Sequence, residues 1–156
     1  MRSAAAHTWL LTGTGAMLHF LVDGLCVCCL YLLLSAYGGA ALVGAFILYN
    51  VLAFLTQPLT GMLADSRRLL PMLLPMAVAL LAIGVMLASL LLAQPSLITH
   101  HSSLLTSIIV LPLGLGNSLF HVWGGKTVAV ATGNDPRTLG LFVSTGAFGL
   151  AVGMVV

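Results

Sequence analysis

Charged side chains are almost missing from this sequence of 156 residues. Only 5% of the residues are charged and no glutamate occurs, whereas soluble domains carry about 25% charged residues. A soluble fold of this size could not hide so much apolar surface, which excludes soluble enzymes and disordered tails. The net charge of +2 is too small for a surface that binds nucleic acid.

Cysteine is scarce and is confined to one apolar run, at Cys26, Cys28 and Cys29. An odd number of cysteines so close together is not typical of a disulfide framework. Their spacing also differs from the paired Cys-x-x-Cys sets of structural zinc sites. The pattern favours small packing residues, and thiol or soft-metal chemistry near Asp23 stays open as the alternative.

Long apolar runs make up most of the chain, since 60% of the residues are hydrophobic and the mean hydropathy is +1.17. A membrane-spanning helix needs about 20 apolar residues, and five runs approach or exceed this length. We predict an all-α membrane protein with a single transmembrane domain at residues 1–156, whose helices lie at about 10–34, 40–63, 69–93, 104–131 and 139–156. Because the last run ends without a polar cap, we expect a partial chain, truncated inside helix 5.

The basic residues predict how the chain crosses the membrane. They precede the first run, lie between the second and third, and flank the break between the fourth and fifth: Arg2, Arg67, Arg68, Lys126 and Arg137. Five alternating helices place all of them on one side, which the positive-inside rule assigns to the cytoplasm. We therefore predict a multi-pass protein of the bacterial inner membrane with a cytoplasmic N-terminus.

Ionisable residues inside the apolar runs are candidates for function, because an aspartate at the centre of a spanning helix costs about 2.5–3.5 kcal/mol to insert. Asp23 lies in the middle of helix 1, and His19 shares its helix face four residues earlier. Asn117 and His121 have the same spacing on helix 4. We predict that these four side chains line a pathway for solute and protons, with Asp23 as the proton-coupling carboxylate. The alternative is a structural pair that only fixes helix packing.

Helix 2 offers a further pair of polar residues, and helix 3 offers almost none. Asn50 and Gln57 are seven residues apart, which places both on one face of a regular helix, and Pro58 removes the next backbone donor. We expect Asn50 and Gln57 to belong to the same pathway, with an ordinary proline kink as the alternative. Residues 69–92 are nearly all Leu, Met, Ala and Val, so helix 3 is expected to face lipid.

The junction of helices 2 and 3 reads Gly61-Met-Leu-Ala-Asp65-Ser-Arg67-Arg68, which resembles the signature loop of the major facilitator superfamily. Residues 116–122 of helix 4 also resemble a group of bacterial permease-like proteins. The resemblance implies the N-terminal half of a twelve-helix fold, in which helices 1 and 4 line a central cavity. It also implies that Gly61, Asp65, Arg67 and Arg68 form a cytoplasmic gate.

The residues and the resemblance together predict a secondary transporter that moves a small solute by proton-coupled alternating access. The expected partners are the lipid bilayer, the solute, protons, and the remaining helices of a longer chain or a second copy, with no nucleic acid. We expect no enzymatic activity, cofactor or metal, because the sequence has no evident nucleophile–base pair or multi-carboxylate cluster. The alternative is a membrane metal- or haem-binding assembly protein, in which Cys26, His19 and His121 hold the group.

Overall fold

The computed structural model describes residues 2–37, 40–65, 69–94 and 98–155, which form a bundle of five helices. These are α1 (Arg2–Tyr37), α2 (residues 40–65), α3 (Leu70–Leu92), α4 (Ile98–Ala131) and α5 (Pro136–Gly153). No strand occurs in the described ranges, and the prediction of an all-α fold is confirmed. Helices are favoured because a segment in lipid must satisfy its backbone hydrogen bonds internally.

Four of the helices are long and apolar enough to cross a membrane, and they make this a multi-pass membrane protein. The candidate spans are Ala6–Ala36, Val43–Asp65, Leu70–Leu92 and Leu104–Ala131. The predicted fifth span is not among these four. α5 is long enough, at 18 residues, but it includes Arg137 together with several glycine and hydroxyl residues, which lower its mean hydropathy.

α2 departs from regular α-helix in its middle. It consists of Ala40–Asn50, a π-helical segment at Val51–Leu55, and Gln57–Asp65. Pro58, three residues after the π segment, has no N–H group, so it cannot donate an α-helical hydrogen bond to the carbonyl oxygen of Phe54. The wider π turn changes the rotational phase of the residues on either side. Asn50 and Gln57, seven residues apart, therefore do not keep the alignment that a uniform helix would give them.

Glycines allow α1 and α5 to pack with their backbones in close contact. Gly149 lies against the carbonyl group of Phe20, and Gly153 lies against that of Gly24. Small residues at such positions let spanning helices approach closely, which is a main source of packing energy in lipid. Because these glycines let the two backbones approach, α1 makes its most extensive contacts with α5.

α3 lies at the edge of the bundle and packs mainly on α4. Its buried residues form one stripe at helical spacing, while most of its other large side chains are exposed. The stripe consists of Leu73, Ala77, Leu81, Gly84, Ala88 and Leu91. This placement agrees with the expectation that helix 3 faces lipid.

Two apolar clusters fill the interior. One contains Leu30 and Leu33 of α1 with Val110 and Leu113 of α4. The other contains side chains from α3, α4 and α5, including Phe120, Val128 and Phe142. Val22 of α1 packs against both clusters, so the neighbouring polar residues of α1 lie where the two clusters meet. The polar site is therefore enclosed by apolar packing on both sides along the helix axis.

The turn between α4 and α5 has clear sequence determinants. Gly133 and Asn134 both adopt φ 62°, the left-handed conformation that glycine and asparagine tolerate best. Asp135 then caps α5 by accepting a hydrogen bond from the backbone N–H of Arg137 at 3.0 Å. Pro136 occupies the first helical position, where its missing N–H group has no cost.

Candidate functional site

Three ionisable side chains from two helices converge in the interior. His121 Nε2 of α4 lies 2.9 Å from Asp23 Oδ1 of α1, and His19 Nε2 lies 3.1 Å from Asp23 Oδ2. The two Nε2 atoms are themselves 3.0 Å apart. His19 and Asp23 are 3% and 2% exposed, so water does not separate these groups from one another. We call this set, His19, Asp23 and His121, the His–Asp–His cluster.

The outer nitrogen of His19 is held by α5. His19 Nδ1 lies 2.7 Å from the carbonyl oxygen of Phe142, which can only accept a hydrogen bond. Nδ1 must therefore carry a proton, and a neutral His19 presents the lone pair of Nε2 to the cluster. The imidazole also stacks on the Phe142 ring, with centroids 4.3 Å apart. Both contacts fix the orientation of the His19 ring.

The outer nitrogen of His121 is held by α2. Gln57 Nε2 lies 3.3 Å from His121 Nδ1 and donates to the carbonyl oxygen of Ala53 at 2.9 Å. An amide nitrogen donates both of its hydrogens, so His121 Nδ1 accepts and the proton of a neutral His121 lies on Nε2. That proton points toward Asp23 Oδ1. The π segment ends two residues before Gln57 and contains Ala53, so the irregular part of α2 supplies this contact.

A cluster of this composition needs positive charge between its members. The Nε2 atom of a neutral His19 and an ionised Asp23 Oδ2 are both hydrogen-bond acceptors, and they lie 3.1 Å apart. Two acceptors at this distance repel each other unless a proton or a cation lies between them. The donor from His121 satisfies Asp23 Oδ1 and leaves the Oδ2 side unsatisfied. The geometry is therefore suited to holding an exchangeable positive charge.

Asn117 and Tyr49 support Asp23 from the other side. Asn117 Nδ2 donates to Asp23 Oδ1 at 2.9 Å and also contacts the Tyr49 hydroxyl. Asn117 is fully buried, and its Oδ1 atom is a buried polar atom with no hydrogen-bond partner among the described residues. Such an atom is costly and rare in a native interior. Nothing in the amino-acid spacing pointed to Tyr49, whose hydroxyl reaches the site from α2.

A cavity of about 370 Å³ adjoins the cluster. Its polar wall is formed by His19, Asp23, Gln57 and His121. Its apolar wall comes mainly from α2 and α5, including Phe54, Phe142, Val143, Ala147 and Leu150. No residue of α3 lines it. The volume falls within the range of about 300–1,000 Å³ that is usual for small-molecule sites.

The predicted pathway residues are mostly brought together. Five of the six form one connected set: His19, Asn117 and His121 contact Asp23, and Gln57 contacts His121. Asn50 instead donates from Nδ2 to the carbonyl oxygen of Phe46 in its own helix, at 2.7 Å, and does not line the cavity. The π segment separates it from Gln57, which is the physical reason for the difference.

The predicted cytoplasmic gate is described only in part. Lys126 of α4 reaches the end of α2, where its Nζ donates to Asp65 Oδ1 and, at 2.8 Å, to the carbonyl oxygen of Ala64. The ends of α2 and α4 are thereby linked at one edge of the bundle. Gly61 has open space around its Cα. The two arginines assigned to the gate, Arg67 and Arg68, lie outside the described residues.

We expect the two members of this link to contribute unequally to stability. Asp65 is 79% exposed, so the ion pair is worth at most about 1 kcal/mol, and Asp65→Asn should hardly change the free energy of unfolding. Lys126→Met should cost about 1–3 kcal/mol, because the buried Ala64 carbonyl also loses its donor. Unfolding in mixed detergent micelles measures both variants, and a larger loss for Asp65→Asn would contradict this assignment.

The cysteines do not take part in the cluster. Cys26, Cys28 and Cys29 are free thiols, and Cys26 is packed in the apolar interior. Among the described residues, the metal-ligating atoms that lie within 4.8 Å of one another belong to His19, Asp23 and His121. The converging set contains Asp23, whereas the alternative suggested by the sequence has Cys26 beside the two histidines. Asp23 lies about one helical turn from His19, and Cys26 lies about two turns, or roughly 10 Å, along α1.

Comparison with known proteins adds no further information on this site. No protein-family model, curated protein or solved structure gives a match to the chain. The similarity to the major facilitator superfamily thus rests on the residues at the junction of helices 2 and 3, and membership stays a prediction.

Proposed function

We propose that the chain forms the N-terminal part of a secondary transporter of the major-facilitator type, which moves a small solute by alternating access. The observation that carries the proposal is a buried polar cluster beside a cavity of about 370 Å³, inside a bundle that is otherwise apolar. Placing an aspartate at the centre of a spanning helix costs about 2.5–3.5 kcal/mol. Ionisable groups kept at such cost normally mark a substrate or ion pathway.

The distribution of polar groups over the helices supports this proposal. α1 and α4 supply the His–Asp–His cluster, α2 supplies Gln57, and α3 supplies no side chain to the cavity. The same division, with helices 1 and 4 inside and helix 3 outside, is what the family resemblance implies. A structural pair that only fixed helix packing would not need an adjoining cavity.

The direction of insertion belongs to the same proposal. The bacterial inner membrane and a cytoplasmic N-terminus follow from the basic residues, which the positive-inside rule places on the cytoplasmic side. Lys126 and Asp65 would then link α2 and α4 at the cytoplasmic end. Further helices, from a longer chain or a second copy, would close the cavity opposite α2 and α5. Coupling to protons through Asp23 stays a prediction from the sequence.

The alternative function, a membrane metal- or haem-binding assembly protein, is favoured by one observation. Three ligand atoms of His19, Asp23 and His121 converge to within 4.8 Å of one another. A carrier must expose this site to each side of the membrane in turn, whereas an assembly protein can keep it open to one side only. This difference separates the two functions without knowledge of the solute.

The test is labelling of a cysteine in the cavity wall from both sides of the membrane. Ala147→Cys places a thiol in the wall. Phe148→Cys is the control, because Phe148 is exposed, does not line the cavity and lies roughly opposite Leu139 and Leu150 of the wall on α5. Both are made after replacing the three native cysteines by alanine. In right-side-out and inverted vesicles, a membrane-impermeant thiol reagent should label Ala147→Cys in both orientations and Phe148→Cys in neither. Labelling of Ala147→Cys from one side only would contradict the carrier and favour the alternative.

A further inference from the structure

We propose that the His–Asp–His cluster is a binding site for one divalent transition-metal cation of the Zn²⁺ type. The ligands would be His19 Nε2, a carboxylate oxygen of Asp23 and His121 Nε2. Two imidazoles and one carboxylate are donors that Zn²⁺ and its neighbours in the first transition series prefer, whereas Mg²⁺ and Ca²⁺ prefer oxygen donors only. From the sequence, a metal is expected only in the alternative function, with Cys26 beside the two histidines. The set with Asp23 is apparent only in the structure, because its ligands lie on two helices that are distant in the chain.

The distances between the three ligand groups suit a small cation. The two Nε2 atoms are 3.0 Å apart, and the carboxylate reaches each of them with a different oxygen: Oδ1 lies 2.9 Å from His121 Nε2 and Oδ2 lies 3.1 Å from His19 Nε2. In a tetrahedral site with bonds of about 2.0–2.1 Å, neighbouring ligand atoms lie about 3.3 Å apart. Each of these three contacts would therefore need to lengthen by only a few tenths of an ångström to receive the ion. A cation at this position also supplies the positive charge that His19 Nε2 and Asp23 Oδ2 require between them.

The surroundings of the ligands resemble the outer shell of a metal site. A ligating histidine usually donates its other ring N–H to a carbonyl or carboxylate group, which fixes the ring and raises its basicity. His19 Nδ1 does this with the Phe142 carbonyl oxygen, at 2.7 Å. The carboxylate of Asp23 is likewise held by Asn117 at 2.9 Å. Gly146 of α5 leaves the space that the His19 and Asp23 side chains occupy, because a Cβ atom there would collide with both.

His121 requires one rearrangement to become a ligand. Its Nε2 must lose the hydrogen that it donates to Asp23, so that Nδ1 carries the proton instead. Gln57 then has to turn its amide and present Oε1 to His121 Nδ1, giving up its bond to the Ala53 carbonyl oxygen. The change is a rotation of one side chain that is only partly buried and lines the cavity.

The site is suited to reversible binding of a cation. Structural zinc sites are closed by four protein ligands, whereas exchangeable and catalytic sites leave a position open. Here the three protein ligands line a cavity of about 370 Å³, which leaves space for an exchangeable fourth ligand. The cation would be the transported solute; this part of the inference rests on the proposed function, while binding does not.

The binding test uses Co²⁺ as a spectroscopic probe of the purified protein, prepared without a polyhistidine tag. One equivalent should give visible d–d absorption bands, and Zn²⁺ should displace it, whereas Mg²⁺ should not. Asp23→Asn and His121→Gln should each weaken Co²⁺ binding at least about 100-fold. His7→Gln, which changes an exposed histidine of α1, should leave binding unchanged.

Several results would overturn the site. These are no stoichiometric Co²⁺ binding, unchanged affinity in the Asp23 and His121 variants, or an intense near-ultraviolet thiolate-to-cobalt band that disappears in Cys26→Ser. If a cluster variant fails to fold, the thermal stability of the unaltered protein still tests the metal site. Zn²⁺ should raise its Tm and Mg²⁺ should not. No rise with Zn²⁺ would count against the site.

The transport part has its own measurement, uptake of radioactive Zn²⁺ into proteoliposomes. Binding together with uptake supports the assignment of the solute. Binding without uptake overturns that assignment and leaves the metal site in place. Two-sided labelling of Ala147→Cys without any metal binding overturns the metal site and leaves the carrier in place, so the two failures are distinguishable.

Discussion

Gly149→Ala is expected to destabilise the protein by about 2 kcal/mol, a large effect for the addition of one methyl group. A Cβ atom at position 149 would overlap the carbonyl oxygen of Phe20 and lie 2.9 Å from its carbonyl carbon. These are backbone atoms of α1, so the collision cannot be relieved by rotating a side chain. Alanine gains about 1 kcal/mol in helix propensity over glycine, which offsets only part of the cost of overpacking.

Gly140→Ala is the matched control for this prediction. It lies on the same helix, and a Cβ atom there would meet nothing within 4 Å. The substitution should be neutral or stabilising by up to about 1 kcal/mol through helix propensity alone. Unfolding in mixed detergent micelles, followed by circular dichroism, compares the two variants. Equal stability of Gly149→Ala and Gly140→Ala would show that α1 and α5 do not pack as described.

Asp23→Asn is expected to abolish transport, with uptake falling at least about 100-fold, while the helices still insert and pack. The substitution keeps the size of the side chain and an acceptor for Asn117, which lies 2.9 Å from Asp23 Oδ1. It removes the negative charge that holds a proton or cation between the two histidines. In binding sites, the loss of one partner of a buried hydrogen-bonded charge pair costs about 2–5 kcal/mol of binding free energy, and about 2.8 kcal/mol corresponds to a factor of 100.

Asp135→Asn provides the matched control for the loss of one carboxylate. Asp135 is the N-cap of α5, and asparagine caps helices about as well as aspartate. Uptake and stability should both stay close to those of the unaltered protein. Radioactive Zn²⁺ uptake and gel-filtration profiles measure the two variants side by side. Full uptake by a correctly folded Asp23→Asn protein would remove Asp23 from the proposed mechanism.

The sequence predicted those parts of the site that depend on one helix alone. His19 with Asp23, and Asn117 with His121, are pairs four residues apart, and such pairs share a face in any regular helix. The all-α fold followed in the same way from the long apolar runs and the near absence of charge. These inferences needed only helix periodicity and the cost of burying a charge.

Other parts depend on how the helices meet, which spacing along one helix cannot show. The Phe142 carbonyl oxygen reaches His19 only because α5 lies closely against α1. Gly146 is one of 17 glycines, and only the packing reveals that it makes room for His19 and Asp23. A uniform helix would place Asn50 and Gln57 on one face. The π segment between them changes their relative orientation, and the sequence pattern does not predict that segment.

The proximity of Asp23 to the histidines can be measured in lipid by solid-state NMR on protein labelled with ¹³C-aspartate and ¹⁵N-histidine. The chain has only three acidic residues, all of them aspartates, and five histidines, so few signals compete. Asp23 lies 2.9 Å from His121 Nε2 and 3.1 Å from His19 Nε2, while Asp65 contacts Lys126 and Asp135 caps α5. One carboxyl carbon should therefore show strong dipolar coupling to imidazole nitrogen, and this signal should vanish in Asp23→Asn. Three carboxyl carbons without such coupling would contradict the buried cluster and the transport pathway built on it.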